Sequence, residues 1–590
     1  MRSDRMAAEM KKLARKDSET KVEAAKKASA NLRGTIAEVL ASDQPAFEHD
    51  DMQLMKFHGI YQQEDRDARG FARLTGITKP TWFMIRVKVP GGVLTAEQYL
   101  QLDAIADEVT HNHSLRVTTR QNIQYHGVLK TTLKHAMQRA NEVLIEALCG
   151  CGDVARNVMA SPAPFTDPGH AAARGMAQEL SNALCPVTNA YHEIWLDGKK
   201  VGGPEEEPIY GDSYLPRKFK VGIGTVEDNS VDVYSQDVGL IAVIEDGELT
   251  AVNVVIGGGF GMTHKKVNTY ARLATPLGSV KPDEVVETVA TIAALHRDYG
   301  DRTDRRHARL KYVVEENGID AVREEFERRV SFDLQPWVEI PDVGHQDYLG
   351  THEQGDGQYF HGVYVDNGRI VDVDECRMKS AFRDIVQRYS PTVVLTPNQN
   401  VLFGDLDDEA LKGVKKILAS YLVADADDLT SVKRGSMACP ALPTCGQALT
   451  ESERVMPGVL SAIEGEFLRV GLADVPITVR MTGCPNGCAR PYSADIGLVG
   501  HKPGHYDIFL GGRIAGDRMP ELFAVNVKRD EVAVSLRPVI EAWRDQREGD
   551  EEFGDYFRRQ FGPSEIRDVL SGDRDDPLQE QVLTALTVSA

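Results

Sequence analysis

TTRQNIQY at residues 118–125 and TPNQNVLF at residues 396–403 share one pattern, T-x-x-Q-N followed by a β-branched residue. Each occupies the same place in the same order of elements. Around the first, WFMIRVKVPGGVLT (82–95) alternates as a strand does and stops at Gly91-Gly92, and TAEQYLQLDAIADEVT (95–110) has helical spacing. SLRVTTRQNIQYHGVL (114–129) returns to alternation, and KTTLKHAMQRANEVLIEAL (130–148) is helical again. Around the second, YFHGVYVDNGRIV (359–371) reads as strand and turn, SAFRDIVQRYS (380–390) as helix, TVVLTPNQNVLFGDL (392–406) as strand and DEALKGVKKILASYLV (408–423) as helix. The repeated order predicts an internal duplication of a compact α/β unit.

Outward from each copy lies a candidate active region. ARNVMASPAPF (155–165) and YLPRKFKVGIG (214–224) follow the first, and GSMACPALPTC (435–445) and ITVRMTGCPNGC (477–488) follow the second. One half offers cations and the other cysteines, a division of labour open to a duplicated fold.

The chain of 590 residues is long enough for several domains, and its 42% hydrophobic content is ordinary for a globular protein. Its formal charge of -21 argues against nucleic-acid binding but leaves room for a local basic pocket. No apolar run approaches a membrane span, and the polar, charge-laced N-terminus lacks the apolar core of an export signal. A cytoplasmic location is therefore expected, where disulfides are rare. Of eight cysteines, Cys149, Cys151, Cys185 and Cys376 are scattered and read as small buried apolar side chains. Cys439, Cys445, Cys484 and Cys488 follow C-x5-C, then 38 residues, then C-x3-C. Structural zinc more often uses C-x2-C knuckles, so this spacing favours a four-iron cluster over zinc. Gly483 and Gly487 let backbone approach the sulfides closely.

C-x5-C followed by T-G-C-P-N-x-C resembles the sirohaem sulfite and nitrite reductases. LRGTIAEVL, KFHGIYQQEDRD, RVTTRQNIQYHG, RNVM, EIWLD, YLPRKFK, GGGFG, KKVNTYAR, GDRTDRRHARLKY and FGDYF extend the resemblance, in order, from about residue 30 onward, toward assimilatory sulfite reductase haemoproteins. It implies an α+β fold of duplicated ferredoxin-like units with two pseudo-symmetric sirohaem/iron-sulfur domains. Its segments would be an N-terminal arm (1–75), a first half-domain (76–148), a sirohaem and substrate-pocket domain (149–345), a second half-domain (346–425) and a [4Fe-4S]/sirohaem domain (426–590). The four clustered cysteines would hold a [4Fe-4S] cluster, with Cys488 also the axial ligand of the sirohaem iron.

The basic residues gain meaning from the same resemblance. Alternation puts Arg116, Thr118, Arg120, Gln124 and His126 on one strand face, and the resemblance makes that face a wall for sirohaem carboxylates. Arg217, Arg309 and Asn486 match further cofactor-binding positions. Lys218 and Lys220, with Arg86 and Arg156, would surround the open iron face and bind substrate oxygens. Lys220 favours sulfite over the alternative substrate, nitrite, because the related nitrite reductases carry Asn there. GGGFG lacks the order of a nucleotide loop and reads as a tight turn beside the cofactor. No dinucleotide or flavin domain is evident, so electrons would come from a partner. DRDARG and the 115–130 run lean toward ferredoxin over an NADPH-dependent flavoprotein. A ferredoxin would need a basic patch, for which Lys265, Lys266, Arg272, Arg302, Arg305, Arg306 and Lys311 are candidates. A reading from another class, an electron carrier or zinc-stabilised binding protein, would lack a sirohaem spectrum.

Overall fold

The computed structural model describes residues 19–77, 80–186, 207–266 and 268–561, with only the backbone of two short strands, Trp195–Leu196 and Lys199–Lys200, between. Most of EIWLD therefore lies outside the described residues. The duplication is visible at the motif that announced it. Thr118 N–H donates to Asn122 O (2.9 Å) and Gln121 N–H to Thr118 O (3.0 Å); Thr396 N–H donates to Asn400 O (2.9 Å) and Gln399 N–H to Thr396 O (3.1 Å). Gln121 and Gln399 both adopt left-handed backbone, with φ of 52° and 69°. T-x-x-Q-N is thus a hairpin tip, and 114–129 is two strands, Leu115–Val117 and Ile123–Val128, rather than one.

Each half builds a five-stranded antiparallel sheet, and each sheet borrows its last strand from the other half. The first runs Ile60–Glu64, Thr81–Arg86, Ile123–Val128, Leu115–Val117 and then Arg369–Ile370 from the second copy. The second runs Gly350–Glu353, Tyr359–Val363, Val401–Leu406, Thr392–Leu395 and then Val93–Leu94 from the first. Helices Ala96–Val109, capped by Thr95 and Gln98, and Met378–Tyr389 pack into one shared core with Phe83, Tyr99, Leu102, Phe382, Ile385 and Phe403. The helix expected over 130–148 ends at Glu142, because Leu144 turns left-handed (φ 59°) and Ile145 N–H closes on Ala140 O.

The two larger domains repeat a second topology. Met159–Ala160, Val221–Thr225 and Val238–Glu245 run parallel, followed antiparallel by Glu248–Ile256 and Thr275–Val280. Ser436–Ala438, Val479–Thr482 and Ile496–Lys502 do the same, followed by His505–Leu510 and Glu521–Lys528. Cations precede the second strand of the first sheet; cysteines follow the second strand of the other.

Residues 19–64, read as an arm, are built into the body. Ile60–Glu64 is the edge strand named above. On helix Lys21–Lys27, the buried Lys26 Nζ meets Glu23 (2.6 Å), Asp153 (3.7 Å) and Leu215 O (2.8 Å).

The strand exchange depends on two glycines. A Cβ on Gly92 would stand 2.3 Å from Leu395 O, and one on Gly368 2.1 Å from Val117 O; both have φ of 77°. Gly368→Ala is expected to destabilise the protein by about 2 kcal/mol or more, from clash and left-handed strain together. An unchanged urea midpoint would show that the exchanged strand is not held by this contact.

Candidate functional site

A cavity of about 630 Å³ opens between the cation-bearing sheet and the cysteine loops, with Arg217, Lys218, Arg305, Arg306 and Arg309 on one side and Leu449, Cys484, Pro485 and Asn486 on the other. Arg217 and Lys218 directly precede the strand Val221–Thr225, where the chain enters the sheet. Neither side chain, nor that of Lys220, has a hydrogen-bond or ion-pair partner among the described residues. Burial, followed by the charges of Lys220, Arg217 and Arg156, holds the Lys218 ammonium well below the ordinary lysine range. Burial, Arg309 and Arg120 do the same to Lys220, while Cys488 works in the opposite direction and so lies within its field. Burial and Arg305 bring Arg217 down to about 10.

Two catalytic candidates have partners. Arg86 Nη1 lies 2.9 Å from Cys151 Sγ, and its Nε is buried without a partner. Arg156 donates from Nε and Nη2 to Gly152 O at 3.3 and 3.2 Å. Tyr61, from the expected arm, lies beside both Cys151 and Arg156. Tyr61 and Cys151 carried no sequence signal beyond their segments, because their importance comes from contact across about ninety residues of chain.

The expected carboxylate wall divides at the hairpin. Arg116 and Gln124 face each other across it. Arg116, however, is consumed by the protein: Nε bonds Glu453 (3.0 Å), Nη2 bonds Ala438 O (2.8 Å) and Nη1 reaches Gln124 (3.4 Å). Since Glu453 N–H donates to Cys439 O (3.0 Å), this arginine holds the Cys439 strand in place. Gln124 Nε2 meets Met84 Sδ at 3.4 Å. His126 is buried beside Arg369 (3.4 Å), and burial with the Arg369 and Arg116 charges keeps it well below its usual range, hence neutral. Thr118 Oγ1 bonds Asn122 inside the tip. Arg120, at the tip, reaches Gln236 (2.9 Å), while its Nε has no partner; burial and Arg156 lower it to about 9.

Arg309 forks onto Asp237 (3.2 and 2.7 Å) and leaves Nη1 buried and unpaired at the cavity. Gly259 makes this possible, since a Cβ there would stand 2.3 Å from Nη1. GGGFG is the turn expected: Lys311 Nζ, fully buried, donates to Gly259 O and Gly261 O (3.0 Å each), and Met262 N–H donates to Pro485 O (3.1 Å) in the cysteine loop.

The four clustered thiols lie within one another's electrostatic reach. Gly483 N–H points at Cys439 Sγ (3.3 Å), the Gln447 and Ala448 amides serve Cys445, and the Asn486 backbone and side-chain amides (Nδ2 at 3.5 Å) serve Cys484. Burial and then the Cys488 charge push Cys439 far up and Cys484 to about 12. Cys488 is exposed at the loop tip, where Thr119 Oγ1 donates to its carbonyl (2.9 Å). Among the described residues no three metal-ligating side chains close on a single ion; the thiols are set apart, with amide donors aimed at their sulfurs. That donor set fits a cluster, and the unpaired cations opposite fit a polycarboxylate prosthetic group. Arg66, missed in sequence, clamps the cluster loop through Cys445 O (2.9 Å) and Ala448 O (2.6 Å).

The expected docking patch does not form as one surface. Lys311 is interior, Arg272 pairs with Glu315 (3.0 Å), Arg302 with Glu23 and Arg305 with Asp153 (2.6 Å); Lys265, Lys266 and Arg306 remain exposed. Backbone carbonyls hold Lys311, and carboxylates of distant segments hold Arg272, Arg302 and Arg305.

Family models agree with this layout. The model "Nitrite and sulphite reductase 4Fe-4S domain" matches residues 175–334 and 430–571, and "Nitrite/Sulfite reductase ferredoxin-like half domain" matches 77–143 and 351–421. A Staphylococcus carnosus protein named sulfite reductase [NADPH] hemoprotein beta-component is 42% identical, with 90% of this chain and 93% of that one covered. A Synechococcus elongatus protein named sulfite reductase [ferredoxin] is also 42% identical, covering 92% and 89%. The solved NirA protein of Mycobacterium tuberculosis shares the fold, with a TM-score of 0.75 over 93% of this chain and 97% of that one at 23% identity. The doubled half-domain, the doubled larger domain and the four-thiol loop pair all follow one plan, and the chain belongs to the nitrite and sulfite reductase family.

Proposed function

We propose that this protein is an assimilatory sulfite reductase of the cytoplasm, converting sulfite to sulfide with six electrons. The observation that carries the reading is the cation set Arg217, Lys218 and Lys220, half-buried, with no carboxylate bonded to their side chains and facing the thiol loops. Arg217, Arg309 and Arg120, with Asn486 beside Cys484, would hold a sirohaem by its carboxylates, and Cys439, Cys445, Cys484 and Cys488 a [4Fe-4S] cluster. Arg116, Thr118, Gln124 and His126 support that wall from behind. When bound, these groups supply electrons and an open iron for the sulfur of the anion.

The chain's own residues do the rest. Arg86, Arg156, Lys218 and Lys220 neutralise the sulfite oxygens and fix their direction. The depressed lysines give up protons from Nζ more readily than ordinary lysines, as each oxygen departs as water. The water-accessible cavity reprotonates them. Electrons come from a separate donor protein. Relatives named for NADPH and for ferredoxin stand at the same 42% identity, so the lean toward ferredoxin gains nothing from them. No helix among the described residues is long and apolar enough to cross a membrane.

Lys220→Asn should lower kcat/KM for sulfite far more than for nitrite, by roughly ten- to a hundred-fold for one lost charge-assisted bond. Assays with a small dye reductant isolate this step from donor docking; equal losses for both anions would refute the assignment of Lys220 to sulfite selection. Cys488→Ser should disturb both prosthetic groups together, read by iron content and the visible spectrum. An unaltered spectrum with full turnover would remove Cys488 from both.

A further inference from the structure

Three side chains outside the pocket form a group that the sulfite reading leaves unused. Cys149 and Cys185 lie beside each other and beside Lys88, although 36 positions apart. Lys88 Nζ lies 3.9 Å from Cys185 Sγ and 3.5 Å from Glu146. Cys149 is buried, pinned by its N–H on Phe57 O (2.8 Å) in left-handed backbone (φ 65°). Cys185 follows the helix Pro168–Ala183 and is half-buried.

We propose that Cys149 and Cys185 are a reversible thiol/disulfide couple that responds to peroxide, with Cys185 the attacking sulfur and Cys149 the resolving one. The proposal stands apart from the substrate assignment. The two sulfurs differ as such a couple requires. The hydrogen bond from Cys149 and the Lys88 ammonium outweigh burial and Glu146 and bring Cys185 to about 7, while the same bond and burial raise Cys149 far above its usual range. The other ionisable groups facing the pair are Tyr210, beside both thiols, and Tyr214, beside Cys149, with Glu207 behind the two tyrosines; the Tyr210 hydroxyl is held by Leu184 O (2.5 Å).

The chemistry balances. The Cys185 thiolate attacks hydrogen peroxide, the O–O bond breaks, and Cys185 becomes a sulfenic acid with hydroxide leaving. The Cys149 sulfur then displaces the sulfenic hydroxyl as water, forming the S–S bond. Two thiols lose two electrons in total and one peroxide gains them. The couple lies beside the Arg86 segment. Lys88 is two residues beyond Arg86, and a Cβ on Gly150, between Cys149 and Cys151, would stand 2.3 Å from Arg86 O.

Reduced holoenzyme, titrated with hydrogen peroxide in the absence of sulfite (itself a disulfide-cleaving nucleophile), tests this. Non-reducing peptide mass spectrometry should find Cys149 linked to Cys185 at doses that leave the visible spectrum unchanged, and dithiothreitol should reverse the link. In Cys149→Ser, a dimedone adduct should accumulate on Cys185. Alkylation of Cys185 should titrate near 7 and slow about fivefold at neutral pH in Lys88→Met, as a one-unit rise would give. Absence of the linked peptide in the wild type, or alkylation of Cys185 no faster than that of Cys376, would overturn the proposal.

Discussion

The structure is organised around an electrostatic imbalance. Arg217, Lys218 and Lys220 are gathered half-buried on one side of the cavity, and their own repulsion adds to the cost of burial. The carboxylates near them are already engaged: Asp237 with Arg309, and Asp153 with Arg305 and Lys26. Buried charge without a partner is tolerated only where something else compensates it. In the proposed reading a polyanionic prosthetic group and an anionic substrate would supply that compensation, which would let a chain of net charge -21 keep a cationic interior.

Holding such a cavity open requires a scaffold that cannot collapse onto it, and the duplication provides one. Two half-domains exchange edge strands around a single core, so neither closes its sheet alone. The hairpin tips of both copies project toward the thiol loop: Thr119 donates to Cys488 O, and Arg490 donates to Pro397 O (2.7 Å) in the second tip. Asp232, fully buried, accepts from both Arg480 (3.0 Å) and Arg490 (2.6 Å) and joins the two larger domains behind the site. The cations and thiols thus face one another across a span that the protein sets before any group binds.

Much of this was legible in sequence because it was local or repeated. T-x-x-Q-N appears twice, the cysteine spacing is compact, and R-K-F-K carries its charges together. The exchanged strands were not legible, being two residues long and paired with the other copy. Arg116 was read as facing a cofactor, yet its partner Glu453 stands 337 positions away. Lys311 and Arg305 looked like surface cations, because the carbonyls and carboxylate that bury them come from other segments. Arg66 sat in a segment read as an arm, and its hold on the Cys445 loop spans 379 positions. What alternation could not show was where a strand turns back, since a hairpin tip and a strand can share one polar rhythm.

The most direct measurement is the electron balance of turnover by the purified holoprotein with a small chemical reductant. The account predicts that sulfite is consumed with stoichiometric sulfide, six electrons for each anion, and that the protein shows a sirohaem Soret band. Nitrite reduced to ammonia in strong preference to sulfite, or a protein with a cluster spectrum and no sulfide formed, would contradict it.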